Sequence, residues 1–131
     1  MSTDFKPKGY NAVSPYFVVG DIKKFIHLLK QIFEVEELRK YDRSDGSVMH
    51  AEIKVEDTVI MMGESTNEFM ANKLLLHVYV KDVDMVYQRA MDAGCMELQK
   101  PVNKNEDPDK RGGFKDFAGN SWYIATQIKD T

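Results

Sequence analysis

The sequence predicts an α+β chain in which tandem βαβββ modules form a curved mixed sheet around a cavity. Three observations predict it. A strand–cap–helix segment occurs twice, each copy is followed by three more strand-like segments, and each helix carries an apolar stripe on one side only.

The first copy opens with the apolar strand Tyr16-Phe17-Val18-Val19 and meets Gly20-Asp21. Asp21 is a good N-cap, because its short carboxylate can accept from the free N–H groups of a first helical turn. Behind it Ile22, Phe25, Ile26, Leu29 and Ile32 recur at helical spacing. The second copy opens with Leu74 to Val80 and meets Lys81-Asp82, and Val83, Val86, Tyr87, Ala90 and Ala93 recur behind that cap. Gly94 then ends the helix as a C′ residue.

After the first helix, Glu37 to Tyr41 reads as a strand and Ser44-Asp45-Gly46 as a hairpin turn. Val48 to Val55 alternates, with Met49, Ala51, Ile53 and Val55 facing one way and His50, Glu52 and Lys54 the other. Glu56-Asp57 makes a turn before the strand Thr58 to Met62. After the second helix come a strand at Met96 to Val102, a polar loop at 103–110, a strand at Phe114 to Phe117, the turn Ala118-Gly119-Asn120 and a last strand at Ser121 to Gln127. Arg111-Gly112-Gly113 reads as a turn, with a flexible loop at the cavity mouth as the alternative. The whole chain, 1–131, is thus one domain: a first module at 12–62, a linker at 63–73 and a second module at 74–128.

Composition narrows the function classes. Apolar residues make up 43% and charged residues 30%, the balance of a soluble globular protein, and a net charge of -3 gives no general pull toward nucleic acid or acidic membranes. Met1 to Tyr10 is polar and lacks an apolar signal segment, and no apolar run is long enough to span a bilayer. With a single cysteine, Cys95, no intramolecular disulfide can form, which fits a cytoplasmic protein. Cys95 itself reads as a packing residue, since nothing adjacent would lower its pKa.

Each helix must cover one face of its own sheet, leaving the other free to line a cavity. Strand parity sends Ser14, Tyr16, Val18, His50, Glu52, Leu75, His77, Tyr79, Ser121, Tyr123 and Ala125 to that free face and Trp122 to the packed one. The three tyrosines offer aromatic walls with hydroxyl tips, suited to a small organic ligand. Glu52, once partly desolvated, would have a raised pKa and serve as a general base. The plainer reading makes it a surface carboxylate opposite Lys54, and His77 a buried, satisfied histidine. His27 lies off the apolar stripe and is expected to be exposed. Phe69, Met70 and Met61-Met62 are apolar groups near the linker that suit a dimer contact or a ligand surface equally.

The repeat resembles the vicinal oxygen chelate (glyoxalase/bleomycin-resistance) superfamily, and several runs resemble its PhnB-like branch. These runs are Val13 to Val19, Val48 to Glu52, Leu76 to Asp84 and Arg111 to Trp122. The resemblance implies a glyoxalase-like fold and a homodimer whose activity ranges from isomerase or dioxygenase to drug-sequestering protein. It also implies a divalent metal held by His, Gln or Glu from four strands. Those positions here are Ser14, Met61, Leu75 and Tyr123, none of them an imidazole or carboxylate. The expectation is therefore a metal-independent binding protein with no cofactor. Its small organic ligand would lie in a pocket lined by Ser14, Tyr16, His50, Glu52, Met61, Leu75, His77, Tyr79 and Tyr123. The alternative is an enzyme (lyase, isomerase or dioxygenase-like) using His50, Glu52 and His77, with or without a divalent metal, with Glu52 as its catalytic residue.

Overall fold

The computed structural model describes residues 4–130, so Met1–Thr3 of the polar N-terminal stretch and Thr131 lie outside it. The elements run β1 (Tyr16–Val19), α1 (Ile22–Ile32), β2 (Val35–Asp42), β3 (Val48–Val55), β4 (Thr58–Glu64), β5 (Leu75–Tyr79), α2 (Val83–Asp92), β6 (Met96–Val102), β7 (Asp109–Lys115) and β8 (Ser121–Gln127). They form two four-stranded mixed sheets, ordered β1-β4-β3-β2 and β5-β8-β7-β6. In each, the strand before the helix pairs parallel with the module's last strand, and the other pairings are antiparallel.

Both helices start where their caps predict. Asp21 accepts from the Lys24 N–H at 3.0 Å and Asp82 from the Met85 N–H at 3.1 Å. A residue at the end of each module's last strand satisfies one further N–H of the first turn. Glu64 accepts from Ile22 at 3.2 Å, and Thr126 accepts from Val83 at 2.9 Å.

The apolar stripes of both helices meet in one core shared by the two modules. Phe17 of β1 stacks on Trp122 of β8 with ring centroids 5.5 Å apart and planes 9° from parallel, and Phe33 packs against both Trp122 and Phe114. Trp122 therefore lies on the packed side, as its parity predicts. His27 is exposed, and Leu28 adds a buried position to the expected stripe.

Three local readings need correction. The strand expected at Phe114 to Phe117 is β7 at Asp109–Lys115, so Arg111-Gly112-Gly113 lies mid-strand and is not a turn. The glycines serve close approach there: a Cβ on Gly113 would come within 2.8 Å of the Tyr123 ring. Second, β4 continues past Met62 to Glu64, shortening the linker. Third, the alternation of β3 breaks at Met49. Tyr41 pairs with His50 but Asp42 pairs with Val48, so Met49 is the extra residue of a bulge. Val48 turns fully into the core and Met49 is half exposed.

Candidate functional site

The pleat of β3 sends His50 and Glu52 to the face away from α1, and register places Tyr16 and Glu52 on either side of Met61. There the side chains form a continuous hydrogen-bonded chain. The Tyr16 hydroxyl lies 3.0 Å from His50 Nδ1, His50 Nε2 lies 2.8 Å from Glu52 Oε2, and Tyr10 donates to Glu52 Oε1 at 2.5 Å. Satisfying every group at once has the Tyr16 O–H donate to Nδ1 and the Nε2–H donate to an ionised Glu52. Tyr41 lies over the His50 ring at 6.3 Å, walling the site on its β2 side.

The N-terminal segment delivers Tyr10. A turn closed by the Tyr10 N–H to Pro7 O at 3.2 Å, with Gly9 at φ +84, aims the ring across the sheet, and the Arg39 guanidinium sits 5.5 Å above it. Asn11 anchors the same segment, accepting from the Val59 N–H at 2.9 Å and donating to Ser14 Oγ at 2.7 Å.

Glu52 is 6% exposed. Burial, the largest single influence, pushes its pKa up, but the bonds from Tyr10 and His50, with the Arg39 charge, together bring it below the ordinary value. This corrects the expected raised pKa: the bonds that hold the carboxylate also stabilise its charge, and a depressed pKa makes it a weaker base. Tyr16 moves the other way, raised first by burial, so its phenol keeps its proton.

The corresponding face of the second module is open. Leu75 is 74% and Tyr79 59% exposed, and the His77 ring meets Tyr79 edge-on at 4.8 Å. Arg111 organises this face. It donates to Asp107 at 2.6 Å, to Asp109 at 2.8 Å and to His77 Nε2 at 3.1 Å, while Tyr79 donates to the buried Asp109 at 2.6 Å. Tyr123 is half-buried above Gly113. His77 is thus exposed and paired with a guanidinium, which corrects the reading of it as a buried, satisfied histidine.

Of the predicted set, Tyr16, His50 and Glu52 are bonded directly, with Met61 between them and Ser14 tied to Asn11. Leu75, His77, Tyr79 and Tyr123 share the other sheet's free face, and no hydrogen bond or ring contact among the described residues joins the two groups. A cleft of about 870 Å³ between the modules touches only His77 and Tyr79 of the nine. Sequence reasoning missed Tyr10, Tyr41, Arg39, Asp107, Asp109 and the pairing role of Arg111. An aromatic beside a Pro-x-Gly turn in an otherwise polar tail was the available signal for Tyr10.

The metal implied by the resemblance does not fit these residues. Leu75 offers no donor atom, Ser14 Oγ is engaged by Asn11, and Met61 and Tyr123 offer only a thioether and a phenol where imidazole or carboxylate is wanted. Nor do His50, Glu52 and His77 assemble within one chain: His50 and Glu52 bond each other, and His77 faces Arg111. Cys95 is half-buried with its pKa pushed up to about 11 by burial and then by Asp116, in keeping with a packing role.

No family model matches the chain. An uncharacterized Mycobacterium bovis protein, Mb0911c, is 26% identical over 91% of this chain and 85% of its own length. Among solved structures, the chain is similar to TioX from Micromonospora sp. ML1 (TM-score 0.70, 16% identity, 88% of this chain and 99% of that one). It is also similar to a putative 3-demethylubiquinone-9 3-methyltransferase, PhnB protein, from Bacillus cereus (TM-score 0.72, 15% identity, 88% and 99%). A third match is a mutant of the genomically encoded fosfomycin resistance protein FosX from Listeria monocytogenes, complexed with Mn(II) and a dihydroxypropylphosphonic acid (TM-score 0.68, 16% identity, 92% and 90%). The chain shares the fold of these solved proteins, the tandem βαβββ arrangement expected from its sequence.

Proposed function

We propose that the chain is a metal-independent small-molecule-binding protein of glyoxalase/bleomycin-resistance type, cytoplasmic and homodimeric. The observation that carries this reading is the chain Tyr10–Glu52–His50–Tyr16 on a sheet face that its own helix does not cover. Each polar atom is fixed in direction by its neighbour, so a ligand finds a prearranged surface. With its O–H directed at His50 Nδ1, the Tyr16 oxygen still accepts, which favours a ligand with an O–H or N–H next to an aromatic or apolar body. Tyr16, Tyr41 and Met61 supply the apolar contact.

Dimerisation is supported by the exposed apolar groups Leu75, Tyr79, Phe69 and Met70. A second copy that set the Leu75/His77/Tyr79/Tyr123 face against the Tyr16/His50/Glu52 face would build one pocket from both. Metal independence is supported by the donor chemistry at Ser14, Met61, Leu75 and Tyr123. The test pairs elemental analysis, after loading with Zn, Mn, Ni and Fe(II), with a thermal-shift screen of hydroxylated aromatic compounds. We expect no stoichiometric metal, and a saturable binder whose affinity falls modestly in Glu52→Gln. Retained metal that disappears in His50→Ala overturns the reading.

One observation favours a second reading. Carboxylate, imidazole and hydroxyl stand in the order of a proton relay, so the Tyr16 oxygen could exchange a proton with a bound substrate through His50, with Glu52 orienting the ring. Turnover abolished by both His50→Gln and Tyr16→Phe, with binding retained, would establish it.

A further inference from the structure

We infer that the cleft between the modules is a second ligand site, selective for small organic cations with an apolar body. None of the Tyr10–Glu52–His50–Tyr16 residues line it; of the face proposed to meet a second copy it touches only His77 and Tyr79, at its edge. Its volume of about 870 Å³ suits a drug-sized molecule.

Two features set the class of ligand. The floor is apolar, built from Ile60, Val78, Val86 and Trp122, and so gains from covering a hydrocarbon or aromatic body. The rim carries four carboxylates (Glu34, Glu56, Asp57 and Asp82) against two cations, Lys81 and Arg89. None of the six is joined to another by an ion pair among the described residues. Glu56 feels this balance: its pKa is raised first by burial and then by the charges of Glu34 and Asp57, while a backbone bond at Glu34 and the Lys81 charge offset part of the rise. A bound cation relieves that repulsion and a bound anion adds to it. β5, the edge strand of its sheet, borders the cleft and offers unpaired backbone groups to the occupant.

Trp122 is the only tryptophan in the chain, so its fluorescence reports on the floor. The experiment titrates the full chain with three probes of matched body: phenylbutylammonium, phenylbutanol and phenylbutyrate. We expect saturable change with the ammonium at least about tenfold tighter than with the carboxylate, and the alcohol between them. Amide chemical-shift changes should centre on Thr58, Val78 and Val86. The Glu56→Gln/Asp57→Asn double variant should bring the three affinities within about threefold, and Arg89→Ala, on the exposed helix surface, should tighten the ammonium. Glu52→Gln should leave the preference intact, which separates this site from the sheet-face site. Equal affinities, shifts centred on Tyr16 and His50, or ammonium binding lost when the chain self-associates would each overturn the proposal. The last result would assign the cleft to a second copy.

Discussion

The two modules share a scaffold and differ in what they place on it. Counting back from the caps, Tyr16 corresponds to His77, and the pairing registers then align Met61 with Tyr123 and Glu52 with Gly113. In the first module the row Tyr16–Met61–Glu52 ends on a buried carboxylate bonded by a tyrosine and a histidine. In the second, His77–Tyr123–Gly113 ends on a glycine that lets the Tyr123 ring lie flat, and the charges stand beside the row, on Arg111, Asp107 and the buried Asp109. Fold duplication therefore conserves the register but not the chemistry. One face is a closed carboxylate–imidazole–phenol network, and the other an open aromatic surface edged by a guanidinium–carboxylate cluster.

The contrast breaks most sharply on removing one side chain from each face. Glu52→Ala deletes the shared acceptor of Tyr10 and His50, two bonds made to a charged group, and should cost about 2–4 kcal/mol in urea unfolding. His77→Ala, on the open face, should cost about 0.5 kcal/mol or less. Equal costs would mean that the first network is no more structural than the second. Next come the glycines. A Cβ on Gly63 would lie 2.7 Å from the Met49 carbonyl oxygen of the β3 bulge, a backbone obstacle, whereas the Cβ of Gly113 would meet a ring. Gly63→Ala should therefore destabilise by about 2 kcal/mol and Gly113→Ala by about 1, because the Tyr123 ring can swing toward the open face.

A pH series isolates the charge on the first face. Folding lowers the Glu52 pKa below the ordinary 4.5. Its contribution is therefore present above about pH 4.5 and is lost as pH falls through the folded value. The stability difference between wild type and Glu52→Gln should be flat near neutrality and shrink in acid. Asp107, lowered by its bonds to Arg111, titrates in both proteins and cancels. A difference that grew in acid would mean Glu52 is held protonated.

How far the sequence reached follows from which signals were local. Both caps, both stripes and four strands (β1, β3, β6 and β8) read at their observed limits, because period and cap chemistry are properties of neighbouring residues. The pairing of Tyr16, His50 and Glu52 on one face followed from strand parity alone. Parity failed where an extra residue enters, as at Met49, and where glycine serves close packing instead of turning, as at Gly112 and Gly113. Tyr10 reaches Glu52 across 42 positions, and no local pattern encodes that contact. The direction of the Glu52 pKa was misread for the same reason: burial was legible, but the partners that outweigh it were not.

The smallest expected effect lies in the turns that close the two sheets. The second module's turn puts Gly119 at φ +89, whereas the first puts Glu56 at φ +55, in the left-handed region that a side chain resists. Glu56→Gly should relieve about 1 kcal/mol of strain, and the greater freedom of glycine in the unfolded chain offsets much of it. We therefore expect a urea midpoint equal to or slightly above wild type, although a charged group has been removed. Glu56→Gln keeps the strain and should not gain. If the carboxylate belongs to the cleft and not to the fold, both variants should lose preference for the ammonium probe equally while differing in stability. Should Glu56→Gly unfold more easily than Glu56→Gln, the carboxylate would be holding the turn, and its place at the cleft would be incidental.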